Sequence, residues 1–141
     1  MKEELIKQYN NCSLGFYVNL EASGIDNEDG DLSADDFANV EYQISDGKLL
    51  SWDNQQVMDL DEIDDSWWED AAQPVEGQEP MSEFDCFIIE IMNLVIQNEY
   101  IGYQEFEELI DDERILIVLL KDQDFNVIEE VSEWNIVEHI D

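Results

Sequence analysis

An α+β fold, with a mostly antiparallel sheet and helices packed on one face, is what three stretches of this sequence predict. Asn39-Val40-Glu41-Tyr42-Gln43-Ile44 alternates, which puts Val40, Tyr42 and Ile44 on one side, and Asp46-Gly47 behind it signals a two-residue hairpin turn. Ser82 stands three residues ahead of Asp85, a capping-box pattern, and opens a segment whose Phe84, Phe87, Ile88, Ile91, Met92 and Val95 make a wide apolar helical face. Arg114 to Leu120 is a continuous apolar run of strand length, read as a central strand buried on both faces.

The remaining elements follow in chain order. Residues 3–11 read as a short helix with Leu5, Ile6 and Tyr9 on one side, and residues 15–22 as a strand. Residues 23–36 form a Gly- and Asp-rich loop. Lys48 to Trp52 returns as the partner of the 39–44 strand. In residues 59–72, Leu60, Ile63, Trp67 and Ala71 recur at helical spacing, and Asp61, Glu62, Asp64, Asp65, Glu69 and Asp70 occupy the other face. Pro74, Gly77 and Pro80 mark a loop. Ile89 and Ile96 lie off the main apolar face of the following helix, so it is expected to be buried on more than one side. Gly102 interrupts it, and Tyr103 to Ile110 reads as an acidic helix with Phe106, Leu109 and Ile110 inward. Lys121-Asp122-Gln123-Asp124 is a turn, Phe125 to Val131 pairs back antiparallel, and Trp134 to Ile140 closes the chain. No internal repeat is present, and residues 1–141 are expected to form a single acidic domain.

The charge is the sequence's most informative property. Thirty-eight acids face five Lys and Arg, a formal charge of −33. Duplex DNA carries one charge per ~1.7 Å of axis, so this charge matches roughly 56 Å of duplex. Between Lys48 and Arg114 there is no cation, and that stretch holds twenty of the thirty-eight acids. Direct nucleic-acid binding, which needs a basic footprint, is excluded as an expectation. So is a membrane span, since no run of ~18 apolar residues lacks a charge. With 44% hydrophobic and 11% aromatic residues the chain can build a core, which argues against disorder. A halophilic surface fits poorly, because the chain has fifteen Ile and only five Ala. An acidic tail fits poorly too, because the acids are interleaved with Trp, Phe and Ile.

Few residues suggest chemistry. Cys12 and Cys86 are far apart and lack the CxxC spacing of zinc or thioredoxin-like motifs, so each is read as a structural thiol. Met1 to Leu14 has no apolar signal region, and a reduced cytoplasmic compartment is expected. His139 is the one histidine, which leaves little for a nucleophilic triad, and no glycine loop cradles phosphate. The chain is therefore expected not to be an enzyme and to use no cofactor. Ile25 to Phe37 resembles an EF-hand calcium loop, with Gly30 at the invariant glycine and Asn27, Asp29, Ser33 and Asp36 at ligand positions. It departs from the motif where Ile25 replaces the first acid and Asp36 the usual bidentate Glu. A calcium-binding module through residues 25–37 is thus a second alternative reading, and no metal ligands are assigned.

A scaffold of carboxylates can occupy a groove built for phosphates. Two rows are candidates: the loop acids Asp26, Glu28, Asp29, Asp31, Asp35 and Asp36, and the helix-face acids Asp61, Glu62, Asp64, Asp65, Glu69 and Asp70. On a helix, side chains at i and i+4 lie ~5–6 Å apart, so pairs 61/65 and 65/69 approximate a phosphate row, joined by Glu105 and Glu108. Trp67-Trp68 sits among these acids, and both help to close the core or Trp68 is an exposed anchor for a partner. In size, charge and Trp- and Tyr-containing acidic helices, the chain resembles the DNA-mimic inhibitors encoded by phages and mobile elements. These include anti-restriction and anti-CRISPR proteins and inhibitors of DNA glycosylases or nucleases. The resemblance implies a stoichiometric inhibitor that binds a basic DNA-binding protein or nuclease, contacts neither nucleic acid nor membrane itself, serves host-defence evasion, and can act as a homodimer. An immunity or antitoxin-like protein that neutralises a basic toxin nuclease is the first alternative.

Overall fold

Asp46 and Gly47 both take positive φ, 51° and 77°. That is the requirement of the two-residue turn whose twist matches paired strands, and it joins β2 (Val40–Ser45) to β3 (Lys48–Ser51). The computed structural model describes residues 2–21, 24, 30, 39–73, 76, 82–111 and 116–131. Its other elements are α1 (Lys2–Gln8), β1 (Ser13–Val18), β4 (Gln56–Asp59), a 3₁₀ turn at Leu60–Glu62, α2 (Trp68–Ala71), α3 (Glu83–Gln97), α4 (Tyr103–Asp111), β5 (Leu116–Lys121) and β6 (Val127–Val131). The six strands form one sheet in the order β4-β3-β2-β1-β5-β6, every neighbouring pair antiparallel. The fold is α+β, as the periodicity predicts.

One face of the sheet is apolar. Leu14, Phe16 and Val18 of β1, Val40, Tyr42 and Ile44 of β2, and Leu116, Val118 and Leu120 of β5 are buried there. They share one hydrophobic cluster with Phe84, Phe87, Ile88, Ile91, Met92 and Val95 of α3. The capping box of α3 forms as its sequence predicts: the Ser82 hydroxyl accepts from the Asp85 N–H, and the Asp85 carboxylate accepts from the Ser82 N–H, both at 3.1 Å. Ile89 is buried as well, so α3 is covered on more than one side. Tyr9, just after α1, meets Phe84 and Phe87 edge-on at 6.0 and 5.9 Å. Phe106 of α4 meets Phe16 at 5.0 Å and Tyr42 at 6.3 Å, which seats α4 on the centre of the sheet.

Three sequence expectations are corrected. Residues 59–72 do not make one helix. Asp59 ends β4, Ile63 is extended at ψ 130°, and only Trp68–Ala71 is α-helical. The Asp64 carboxylate accepts from the Ser66 N–H at 3.0 Å, a local bond that competes with helix. Burial of Leu60, Ile63 and Trp68 then holds the segment in its broken path. β5 is central but not buried on both faces: Leu116, Val118 and Leu120 are buried, whereas Ile117 and Leu119 are half-buried. Among the described residues the helices lie on one side of the sheet, and none covers the other. The strand read over 15–22 runs from Ser13 to Val18. β4 lacks a sequence signal of its own, since Val57 and Met58 are adjacent and both buried rather than alternating. The closing segment Trp134 to Ile140 lies outside the described residues.

Gly102 sits at φ 97°, and a Cβ there would collide with the Tyr42 hydroxyl and stand 3.0 Å from Val40 Cγ1. Gly102→Ala is therefore expected to cost about 2–3 kcal/mol through overpacking and strain together. The urea midpoint should fall with the m-value unchanged. A loss below ~0.5 kcal/mol would show that the turn into α4 is not seated against β2.

Candidate protein-binding surface

The acids of 59–65 are displayed by what lies under them. The Leu60 N–H donates to the Gly47 carbonyl at 2.9 Å, which ties the 3₁₀ turn to the β2–β3 hairpin. Leu60 and Ile63 point into the core, so Asp59, Asp61, Glu62 and Asp64 between and beside them are exposed. Lys2 crosses from α1 to hold the same stretch. Its Nζ donates to the carbonyls of Asp61 (2.8 Å) and Ile63 (2.7 Å), and its backbone N–H donates to Asp65 Oδ2 at 3.1 Å. The half-buried Asp65 carboxylate thus sits at the N-terminal end of α1, where the helix dipole favours an anion.

A second tie runs to the other side. The Tyr100 hydroxyl, in the connection between α3 and α4, donates to Glu62 Oε1 at 3.3 Å. Desolvation first, then the charges of Glu62 and Asp59, push the Tyr100 phenol up and keep it protonated as a donor. Beyond it, α4 turns Phe106 and Leu109 inward and presents Glu107, Glu108 and Asp111 outward, with Glu105 half-buried. The acidic belt is thus the stretch 59–65, tied to α1 through Lys2 and, through Tyr100, to the connection that leads into the acidic α4. Among the described residues, no group of three or more His, Cys, Asp or Glu is arranged to hold a metal ion. The carboxylates are spread along the belt rather than converged on a point.

The candidate residues read from the sequence fare differently. Asp61, Glu62, Asp64 and Asp65 are brought together. Glu69 and Asp70 are exposed on α2, which packs on α3 through an edge-on contact of Trp68 with Phe87 at 6.5 Å. The i, i+4 spacing argued for 61/65 and 65/69 does not apply, because no helix spans them; Glu105 and Glu108 do share a helix. Trp68 is corrected from a possible exposed anchor to a core residue, 1% exposed. Trp67 is the half-buried neighbour, and its indole N–H donates to Glu90. The broken path from Ile63 onward rotates the pair relative to an unbroken helix. Asp26, Glu28, Asp29, Asp31, Asp35 and Asp36, with the rest of the 25–37 loop except Gly30, lie outside the described residues.

Lys2 and Tyr100 are the residues that sequence reasoning missed. Lys2 had a faint signal as a cation ahead of an acidic chain; Tyr100 had none, because its partner is 38 residues away. Cys12 and Cys86 are buried free thiols. Burial, then the charges of Asp85 and Glu83, push Cys86 up to about 12, which makes it an inert packing group. No helix among the described residues is long and apolar enough to cross a membrane. Neither a family model, nor a curated protein, nor a solved structure matches the chain.

Carboxylates crowded on one belt repel, so the protein is expected to melt higher in 0.5 M than in 0.05 M salt. Two groups oppose acidification. Hydrogen bonds from the Ser66 side chain and N–H hold Asp64 below the usual carboxylate range; bonds from Asn126 and Asp124 do so for Asp122. Their stabilisation is present above the ordinary carboxylate range and is lost as pH falls below it. Melting temperature should therefore fall as the pH is taken down through the carboxylate range. Melts insensitive to ionic strength would mean that the belt's charges are already compensated.

Proposed function

We propose that this chain is a DNA-mimicking inhibitor: it binds the basic nucleic-acid-binding surface of a defence or DNA-processing protein and blocks it stoichiometrically. The observation that carries this reading is the acidic belt itself, held on buried apolar anchors and tied across three elements by Lys2 and Tyr100. A surface fixed in this way loses little conformational freedom on binding, which favours affinity. The net charge of the whole chain, −33, attracts a basic cleft over distance and speeds encounter. Spread carboxylates suit a groove lined with Lys and Arg better than they suit a single ion. The inhibitor acts by occupancy and uses no bond-making step.

The partner is a basic DNA-binding protein, either a restriction enzyme, a CRISPR effector, a nuclease or a glycosylase. Complex formation should weaken steeply with salt, and duplex or single-stranded DNA should compete for the partner. Affinity capture followed by a DNA-competition titration tests this directly. A complex that saturating DNA leaves intact sinks the mimicry. Capture of a toxin nuclease blocked at its active site, away from its DNA groove, replaces it with the immunity-type reading.

Charge reversal locates the surface. Asp61, Glu62, Asp64, Glu69 and Asp70 are exposed and can be changed to Lys together; Asp65 is spared because it sits on α1. The variant is expected to keep its circular dichroism and lose inhibition by at least about 100-fold at 0.1 M salt, the scale of several charge pairs at ~0.5–1 kcal/mol each. Full inhibition by the reversed variant would move the interface off this part of the belt.

A further inference from the structure

Two hollows share Trp52 in their linings: one on the sheet face opposite the helices, the other where Ile101, Gly102 and Glu105 of the α3–α4 connection and α4 meet β2. Trp52 is 82% exposed and Phe125 80%, an unusual exposure for two large aromatic side chains. The first hollow, about 420 Å³, is lined by Gly15, Tyr17, Leu119, Lys121, Trp52 and Phe125 among others. The second is about 380 Å³, and its lining includes Glu41, Asp53 and Glu105 but no Lys or Arg. Neutral groups orient two of these carboxylates: Ser51 Oγ and Gln55 Nε2 donate to Asp53, and the Tyr17 hydroxyl donates to Glu41. Their direction is thereby fixed.

We infer that Trp52 and the carboxylates beside it dock an arginine-bearing segment of the basic partner; this rests on the inhibitor reading above. A guanidinium is planar, stacks on an indole face and donates to carboxylates at its edge, which an ammonium does less well. The apolar hollow holding Leu119 and Phe125 then takes the aliphatic part of the same segment. Charge decides the occupant: a second copy would bring another −33 against this face, whereas a cationic segment is drawn to it. The site supplies what a row of charges lacks, a short-range contact that survives salt and discriminates among basic partners.

Titration of the full chain with a blocked Gly-Arg-Gly-Arg-Gly peptide and its lysine counterpart, at 0.3 M salt and read by NMR, tests this. The Trp52 indole N–H signal, assigned through Trp52→Phe, should shift. The arginine peptide should bind about three- to tenfold tighter, and Trp52→Ala, a change at an exposed position, should cancel that preference without moving the urea midpoint. Equal affinity for the two peptides, or a preference that survives Trp52→Ala, overturns the proposal. So does a concentration-dependent dimer that Trp52→Ala abolishes, because the occupant is then a second copy. The five-fold belt reversal separates the two ideas. If it leaves the arginine preference intact while DNA never competes for the captured partner, mimicry fails and the Trp52 site stands. If DNA competes but the peptides bind alike, mimicry stands and the Trp52 site fails.

Discussion

Repulsion among thirty-three net negative charges is the constraint that every other feature of this protein has to accommodate. Two carboxylates ~10 Å apart in water repel by only ~0.4 kcal/mol before screening, yet each acid has many neighbours at that distance. Against this, each fully buried aliphatic or aromatic side chain contributes about 1.5–3 kcal/mol. The fold answers by concentrating its apolar residues in one layer between the sheet and α3, where Phe16, Phe87, Ile88, Ile91, Met92 and Val118 have no exposure. The acids are left outside, where water and salt weaken their repulsion.

Some of the acids are placed where they stabilise. Glu3 and Glu4 lie in the first turn of α1, Glu69 and Asp70 in that of α2, Glu83 and Asp85 in that of α3, and Glu105 in that of α4. The unpaired N–H groups at a helix start favour negative charge, and Asp85 adds a capping bond. Asp122 does comparable work in the β5–β6 turn, where one of its oxygens accepts from the N–H groups of Asp124 and Asn126. A surface can carry this many carboxylates partly because the backbone supplies donors for them in place of cations.

In the inhibitor proposed above, the belt and the Trp52 face would divide the task of recognition. Long-range charge raises the encounter rate but discriminates poorly among basic surfaces, since any Lys- or Arg-rich groove satisfies it. An exposed indole beside oriented carboxylates acts only at contact and depends on shape. The belt lies at 59–65, beside α1 and Tyr100, and Trp52 follows β3 and lines both hollows. Glu105, a half-buried acid of α4, lines the second hollow.

The sequence by itself determined the fold class, the β2–β3 hairpin, the capped α3 and the sign of the surface. Each of these is written in local patterns: alternation at 40–44, the Asp46-Gly47 turn, the Ser82–Asp85 box, and composition. Tertiary structure decided the path of 59–72. Leu60, Ile63, Trp67 and Ala71 fit a helical period, but leaving the sheet edge at β4 and burying Trp68 against Phe87 outweighed that local preference. It also decided which acids meet, because Lys2 with 61–65 and Tyr100 with Glu62 are contacts between residues far apart in sequence. The exposure of Trp52 is of the same kind, since an aromatic at a strand end is buried or bare according to which face the helices cover.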